Sequence, residues 1–209
     1  MNVIEAIFKH KIYAVVRTNN AEEAYNIASA LIEGGIKIIE LPLLCAETLG
    51  VIAKLAKIEN VYICAGGIIT AKHAELAHKF DADLLVSPVF QQSIVKLSQS
   101  YNKPVITTVS TANEAYESWK ARVPIIKIYP AKHMGGAEYI WDLIRPMPFL
   151  NLLPTGNIQL DEVADYLKAG AVAVGIGAAF YRDANSKEEI TKRAKYVVDL
   201  IKNFENGEK

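Results

Sequence analysis

Apolar and polar positions alternate along the chain in two textures. Short runs rich in β-branched residues recur: IYAVVR at 12–17, IKIIELPL at 36–43, VYICAG at 61–66, DLLVSP at 83–88, PVITTV at 104–109, IIKIYP at 125–130, NLLPTG at 151–156 and VAVGIG at 172–177. Their length and composition are those of buried strands. Between them lie amphipathic segments. In NAEEAYNIASALIEGG, Ala24, Ile27, Ala28 and Leu31 fall at helical spacing. After the seventh run, Gln159 and Asp161 precede an apolar face of Val163, Tyr166 and Leu167, and Gly170 closes the segment as a helix stop. The last segment repeats the pattern with Ile190, Ala194, Val197, Val198 and Ile201.

Eight such runs, one every roughly 21 to 25 residues with a helix after each, predict an α/β fold of the (β/α)8 TIM barrel type. A doubly wound open sheet has the same alternation, but eight regular units without a long insertion favour the barrel. The 209 residues carry no long polar linker, which predicts a single domain over 1–209. MNVIEAIFKH, ahead of the first run, reads as a short helix that covers the bottom of the barrel.

Charge narrows the partners. There are 23 basic and 23 acidic residues and no basic tract, which argues against nucleic acid or an anionic membrane as partner. Cys45 and Cys64 fit neither a CxxC motif nor a zinc spacing, so a reducing, cytoplasmic setting is expected. The N-terminus is interrupted by Glu5, Lys9, His10 and Lys11 and makes a poor secretory segment, and no apolar span is long enough to cross a bilayer.

Two charged residues stand inside apolar strands: Glu40 in IIELPL and Lys127 in IIKIYP. One reading is a structural ion pair inside the barrel. Such a pair seldom stabilises more than apolar residues of similar volume, which suggests another use. A lysine in an apolar wall is readily held as the neutral amine, a nucleophile toward a ketone, and a nearby carboxylate can move protons. The second and sixth strands of an eight-stranded barrel face each other, so these two side chains can converge at its mouth. Lysine plus carboxylate, with no metal and no organic cofactor called for, describes class I aldolase chemistry.

These residues also carry a resemblance. From KIYAVVR and ALIEGGIKIIEL through CAGGIIT, ADLLVSP and IIKIYPA to LLPTGNI and AVAVGIG, the chain resembles the 2-keto-3-deoxy-6-phosphogluconate (KDPG) aldolase family, which includes 4-hydroxy-2-oxoglutarate aldolases. The resemblance implies a Schiff base on Lys127, Glu40 as general acid/base, a keto sugar acid as substrate, pyruvate as product, and a homotrimer. Substrate contacts are expected from Arg17, Gly67, Thr155, Gly156, Asn157, Gly177 and Ala178. Expected reactions are cleavage of 2-keto-3-deoxygluconate or its 6-phosphate, or of 4-hydroxy-2-oxoglutarate. A barrel that only binds a keto acid is the alternative from another class, and a phosphosugar isomerase or decarboxylase is a third.

Departures from the family pattern lie around the substrate. Gly67 stands where GAGT has threonine, and Leu44 where many members have arginine or threonine. Arg17 matches an arginine present in part of the family; it is either a carboxylate clamp or a solvated strand-end charge. Thr155 keeps the family's hydroxyl. At the phosphate end, TGN at 155–157 replaces TGG, and Gly177–Ala178 replaces GS. This removes one hydroxyl donor and sets Asn157 where glycine allows close backbone approach.

Other conspicuous residues carry simpler expectations. HMGG at 133–136 reads as a glycine-assisted helix start, His73 and His78 as surface residues on a helix, and Trp119 and Trp141 as packing residues on helices.

Overall fold

The structure is a computed structural model that describes residues 1–207. Helix α1 (Val3–His10) comes first. Eight strands follow: β1 (Ile12–Val15), β2 (Ile38–Pro42), β3 (Tyr62–Gly66), β4 (Leu84–Ser87), β5 (Val105–Val109), β6 (Ile125–Ile128), β7 (Leu152–Pro154) and β8 (Val174–Ile176). The helices that follow them in turn are α2 (Ala21–Glu33), α3 (Thr48–Leu55), α4 (Ala71–Lys79), α5 (Gln92–Ser100), α6 (Ala112–Lys120), α7 (Gly136–Ile144), α8 (Val163–Lys168) and α9 (Lys187–Asn206). All strand pairs are parallel, each strand from β1 to β7 bonds its sequence neighbour, and β1 bonds β8. A single bridge between Thr155 and Gly175 joins the end of β7 to β8, making a nearly closed barrel. The open-sheet alternative is thereby excluded.

Period-two alternation sorts each strand into two cores. Tyr13, Ile38, Cys64, Leu84, Ile106, Ile125, Leu153 and Ala173 point inward and pack together. Their neighbours Ala14, Ile39, Ile63, Leu85, Ile126, Leu152 and Val174 point outward against the helices. Each fully buried aliphatic side chain contributes about 1.5–3 kcal/mol.

The expected bottom cover is present. Val3, Ala6 and Ile7 of α1 join the inner cluster. Asn2 fixes that helix: its side chain accepts from Glu5 N–H at 2.9 Å, while Asn2 N–H donates to the Glu5 carboxylate at 3.0 Å. Such a cap is worth about 0.5–2 kcal/mol. Lys11 then takes a left-handed conformation, φ 55°, which turns the chain into β1. With its lower end plugged, the barrel interior opens toward the carboxyl ends of the strands.

The glycine-assisted start holds at 133–136, where a 3-10 turn over Ala131–Met134 passes through Gly135 (φ 124°) into α7. Asp161 and the boundary at Gly170 (φ 98°) also fall as expected, with a 3-10 turn over Leu160–Glu162 leading into α8. The packing role expected of the tryptophans does not hold. Trp119 and Trp141 are 41% and 51% exposed. The buried stripe of α6 is Ala115 and Ser118, and that of α7 is Ile140 and Leu143, so each tryptophan sits one step round its helix from the stripe. Trp119 instead joins Phe149 and Tyr116 on the surface, with ring centroids 4.4 and 5.8 Å away. No described helix is long and apolar enough to span a membrane.

Candidate active site

Parity places the two charged residues. Ile38 and Ile125 point inward, so Glu40 and Lys127, two residues further along β2 and β6, point inward as well. They meet across the barrel: Lys127 Nζ donates to Glu40 Oε2 in an ion pair whose partners are each 5% exposed. Every other ion pair among the described residues has at least one substantially exposed side chain. Desolvating two ions costs several kcal/mol each, about what their attraction returns, so this pair is weakly justified by stability alone. Chemically it holds an amine and a carboxylate with one proton path between them. Moving a proton from Nζ to Oε2 frees the amine as a nucleophile.

The space for the carboxylate comes from β3. Glu40 registers with Cys64, and Pro42 with Gly66. A Cβ on Gly66 would lie 2.5 Å from Glu40 Oε1 and 3.1 Å from Glu40 Cδ, so only glycine lets the carboxylate lie there. Below it, the Cys64 thiol is pushed well up by burial, with the Glu40 charge adding to the effect, and stays neutral. Tyr13, fully buried, brings its ring centroid to 5.2 Å from Lys127 Nζ.

The residues expected to touch substrate surround the same mouth. Thr155 is buried, and its hydroxyl donates to the Gly175 carbonyl at 2.9 Å. It therefore presents lone pairs rather than its hydrogen toward the interior. Gly175 makes room for it, since a Cβ there would meet Thr155 Oγ1 at 2.8 Å. Gly156 (φ 108°) is likewise forced, because a Cβ would lie 2.9 Å from the Tyr129 ring and 3.0 Å from Pro130 Cα. Asn157 adopts φ 58°, a left-handed conformation that glycine takes freely and asparagine tolerates. Gly177 leads into a 3-10 turn over Ala178–Phe180. Gly67 (φ 75°) follows β3, and its carbonyl lies 3.2 Å from His73 Nδ1, which ties α4 to the rim. His78 stacks on Tyr101, with ring centroids 4.6 Å apart.

Arg17 lies two residues past the end of β1, exposed. Its backbone N–H donates to Tyr181 Oη at 3.0 Å, which pins the chain after β1 to the turn after β8. Leu44, exposed on the loop after β2, adds no polar group to the rim.

Sequence reasoning assigned no role to Tyr13, Gly66, Gly175 and Tyr181. A glycine inside a strand is a signal of close approach, which applies to Gly66 and Gly175. Tyr13 shares the inward parity of Cys64 and Lys127, but nothing local distinguishes it from an ordinary strand residue.

Comparison with known proteins bears on this geometry. The chain is 29% identical over 205 residues to the 2-dehydro-3-deoxy-phosphogluconate aldolase of Haemophilus influenzae, covering 96% of this chain and 97% of that one. To the 2-dehydro-3-deoxy-6-phosphogalactonate aldolase of Escherichia coli it is 23% identical over 189 residues, covering 89% and 92%. The crystal structure of KDPG aldolase from Legionella pneumophila, with pyruvate captured as a covalent carbinolamine, superimposes with a TM-score of 0.82 at 23% identity, covering 93% of this chain and 97% of that one; this likeness concerns the fold. A family model described as KDPG and KHG aldolase extends from residue 3 to residue 202, and by that match the chain belongs to the KDPG and KHG aldolase family.

Proposed function

We propose that the protein is a class I aldolase that cleaves 2-keto-3-deoxygluconate, its 6-phosphate, or both, to pyruvate and glyceraldehyde or glyceraldehyde 3-phosphate. The observation that carries this reading is the buried Lys127–Glu40 pair at the mouth of the barrel. Lys127 gives its proton to Glu40, and the amine attacks the C2 carbonyl to form a carbinolamine. Loss of water leaves an iminium ion, the electron sink for breaking C3–C4. Glu40, directly or through a water, takes the C4 hydroxyl proton, and the aldehyde departs. The remaining enamine is protonated at C3, and water releases pyruvate from Lys127. Splitting one difficult step into several easier ones is the gain from the covalent link.

Arg17, Gly67, Thr155, Gly156, Asn157, Gly177 and Ala178 hold the substrate in this reading, with Arg17 free to reach its carboxylate. Residues 155–160 and 177–181 contain no lysine or arginine, and Lys132, after β6, is engaged by Glu162 at 2.7 Å. A phosphate at this end would rest mainly on backbone amides, which supports acceptance of the free sugar acid. The same observation favours 4-hydroxy-2-oxoglutarate as a second substrate, since it carries no phosphate and breaks at the same bond. The chain works as one domain over residues 1–209, in a reducing cytoplasmic setting that suits the free Cys45 and Cys64. It assembles as a homotrimer in this reading, as the family resemblance implies.

Incubation with pyruvate and borohydride tests the mechanism. A reduced pyruvyl adduct at Lys127 is the expected mass-spectrometric result. An unmodified Lys127 peptide, under conditions that label another class I aldolase, sinks it. Pyruvate release that disappears in Lys127→Ala rejects the barrel that only binds a keto acid.

A further inference from the structure

Just below the ion pair lies a phenol that the reaction as written leaves unused. Tyr13 is the largest of the fully buried side chains. Its hydroxyl faces the Glu40 carboxylate and the Cys64 thiol, on β2 and β3, and its ring faces Lys127 on β6. Yet Oη makes no hydrogen bond of full geometry and is the one buried side-chain polar atom among the described residues without a partner. A buried hydroxyl in that condition is a net liability, and phenylalanine would fill the same space without it. Burial, reinforced by Cys64 and the Glu40 charge, drives the phenol well above its ordinary pKa, so it keeps its hydrogen and has it to give.

We infer that Tyr13 is a positioning residue for Glu40, donating to its carboxylate during the steps in which Lys127 is bound to substrate. The inference rests on the Schiff-base reading. In the free enzyme the carboxylate is committed to the Lys127 ammonium. As an iminium, Nζ carries one hydrogen instead of three and is turned toward the substrate carbon. The carboxylate then loses its partner just when it must take the C4 hydroxyl proton and later return one to C3. The Tyr13 hydroxyl is the donor in place to receive it, and it holds the working oxygen in one orientation for both transfers. The ring has a separate part: its distance from Nζ is within cation–π range, so it favours the cation in ammonium and iminium alike.

Tyr13→Phe separates the two parts, since it keeps the ring and removes the hydroxyl. The readout is exchange of the pyruvate methyl hydrogens with solvent deuterium, followed by NMR, which needs Lys127 and Glu40 but no aldehyde. At saturating pyruvate the variant should exchange about 10-fold more slowly, the loss of one hydrogen bond to a charged group. Borohydride trapping on Lys127 should reach the wild-type extent, and Tm should hold or rise. Unchanged exchange, or an equal fall in exchange and trapping, overturns the positioning role. A wild-type protein that is not trapped by borohydride at all overturns the Schiff-base reading instead.

Discussion

The barrel interior changes character within two residues. At Ile38 and Ile125 it is apolar and sealed from below by α1. One inward step higher on the same strands, Glu40 and Lys127 replace them. Backbone, parity and burial are shared between the two levels; only side-chain chemistry differs. The lower level holds the barrel together by packing, while the upper one places two charges where packing alone would favour apolar residues.

That contrast breaks most sharply at β6. Lys127→Met should reduce pyruvate release to background, because Lys127 is the only buried lysine among the described residues. It should also cost stability, about 3–5 kcal/mol, since Glu40 is left buried without its partner. The double variant Lys127→Met/Glu40→Leu should regain that loss and become as stable as wild type, or more so by about 1–4 kcal/mol, in urea denaturation. One level down, Ile125→Ala should cost about 2–5 kcal/mol while the folded fraction retains its turnover. If Ile125→Ala abolished activity in folded protein, the division of labour between the levels would be wrong.

Glu40→Gln keeps volume and some hydrogen bonding but cannot carry the proton. Turnover should fall by about 10²–10⁴-fold with the fold intact by circular dichroism. Near-normal turnover would assign the proton transfers to another group.

Gly66→Ala sharpens the comparison without touching either charge. The new methyl would lie 2.5 Å from Glu40 Oε1, so the carboxylate must shift. A displacement of about 1 Å costs on the order of 10²-fold in rate, and kcat should bear more of it than KM. Wild-type kcat in this variant would mean that the position of the carboxylate is not critical.

The two levels were not equally open to sequence reasoning. The strands, their order and the bottom helix follow from local periodicity and turn residues, which operate over a few neighbours. Glu40 and Lys127 stood out because charge interrupts an apolar run, and strand counting set them opposite each other. The roles of Tyr13 and Gly66 could not be read from the sequence, since they exist only through contacts with β2 and β6, made after the barrel closes. The exposure of Trp119 was missed for a related reason: on a helix of nine residues, one position of phase separates core from surface. Arg17 read as a strand end, but β1 stops at Val15, and the arginine extends from the loop that Tyr181 holds.

The smallest effect expected concerns the far end of the substrate. Asn157, which the family resemblance sets against a glycine, has a φ of 58°, a left-handed conformation that glycine adopts freely. The amide cradle on that side is therefore less disturbed than the substitution suggests, and the loss narrows to the hydroxyl absent at Ala178. A hydrogen bond to a charged group is worth about 1.5–3 kcal/mol, or about 10- to 100-fold in discrimination. The ratio of kcat/KM for the phosphorylated over the free sugar acid should thus be modest, and Ala178→Ser should raise it by about 10-fold, chiefly through KM. A wild-type preference of about 10³-fold or more for the phosphorylated acid would show that the backbone amides suffice without a serine.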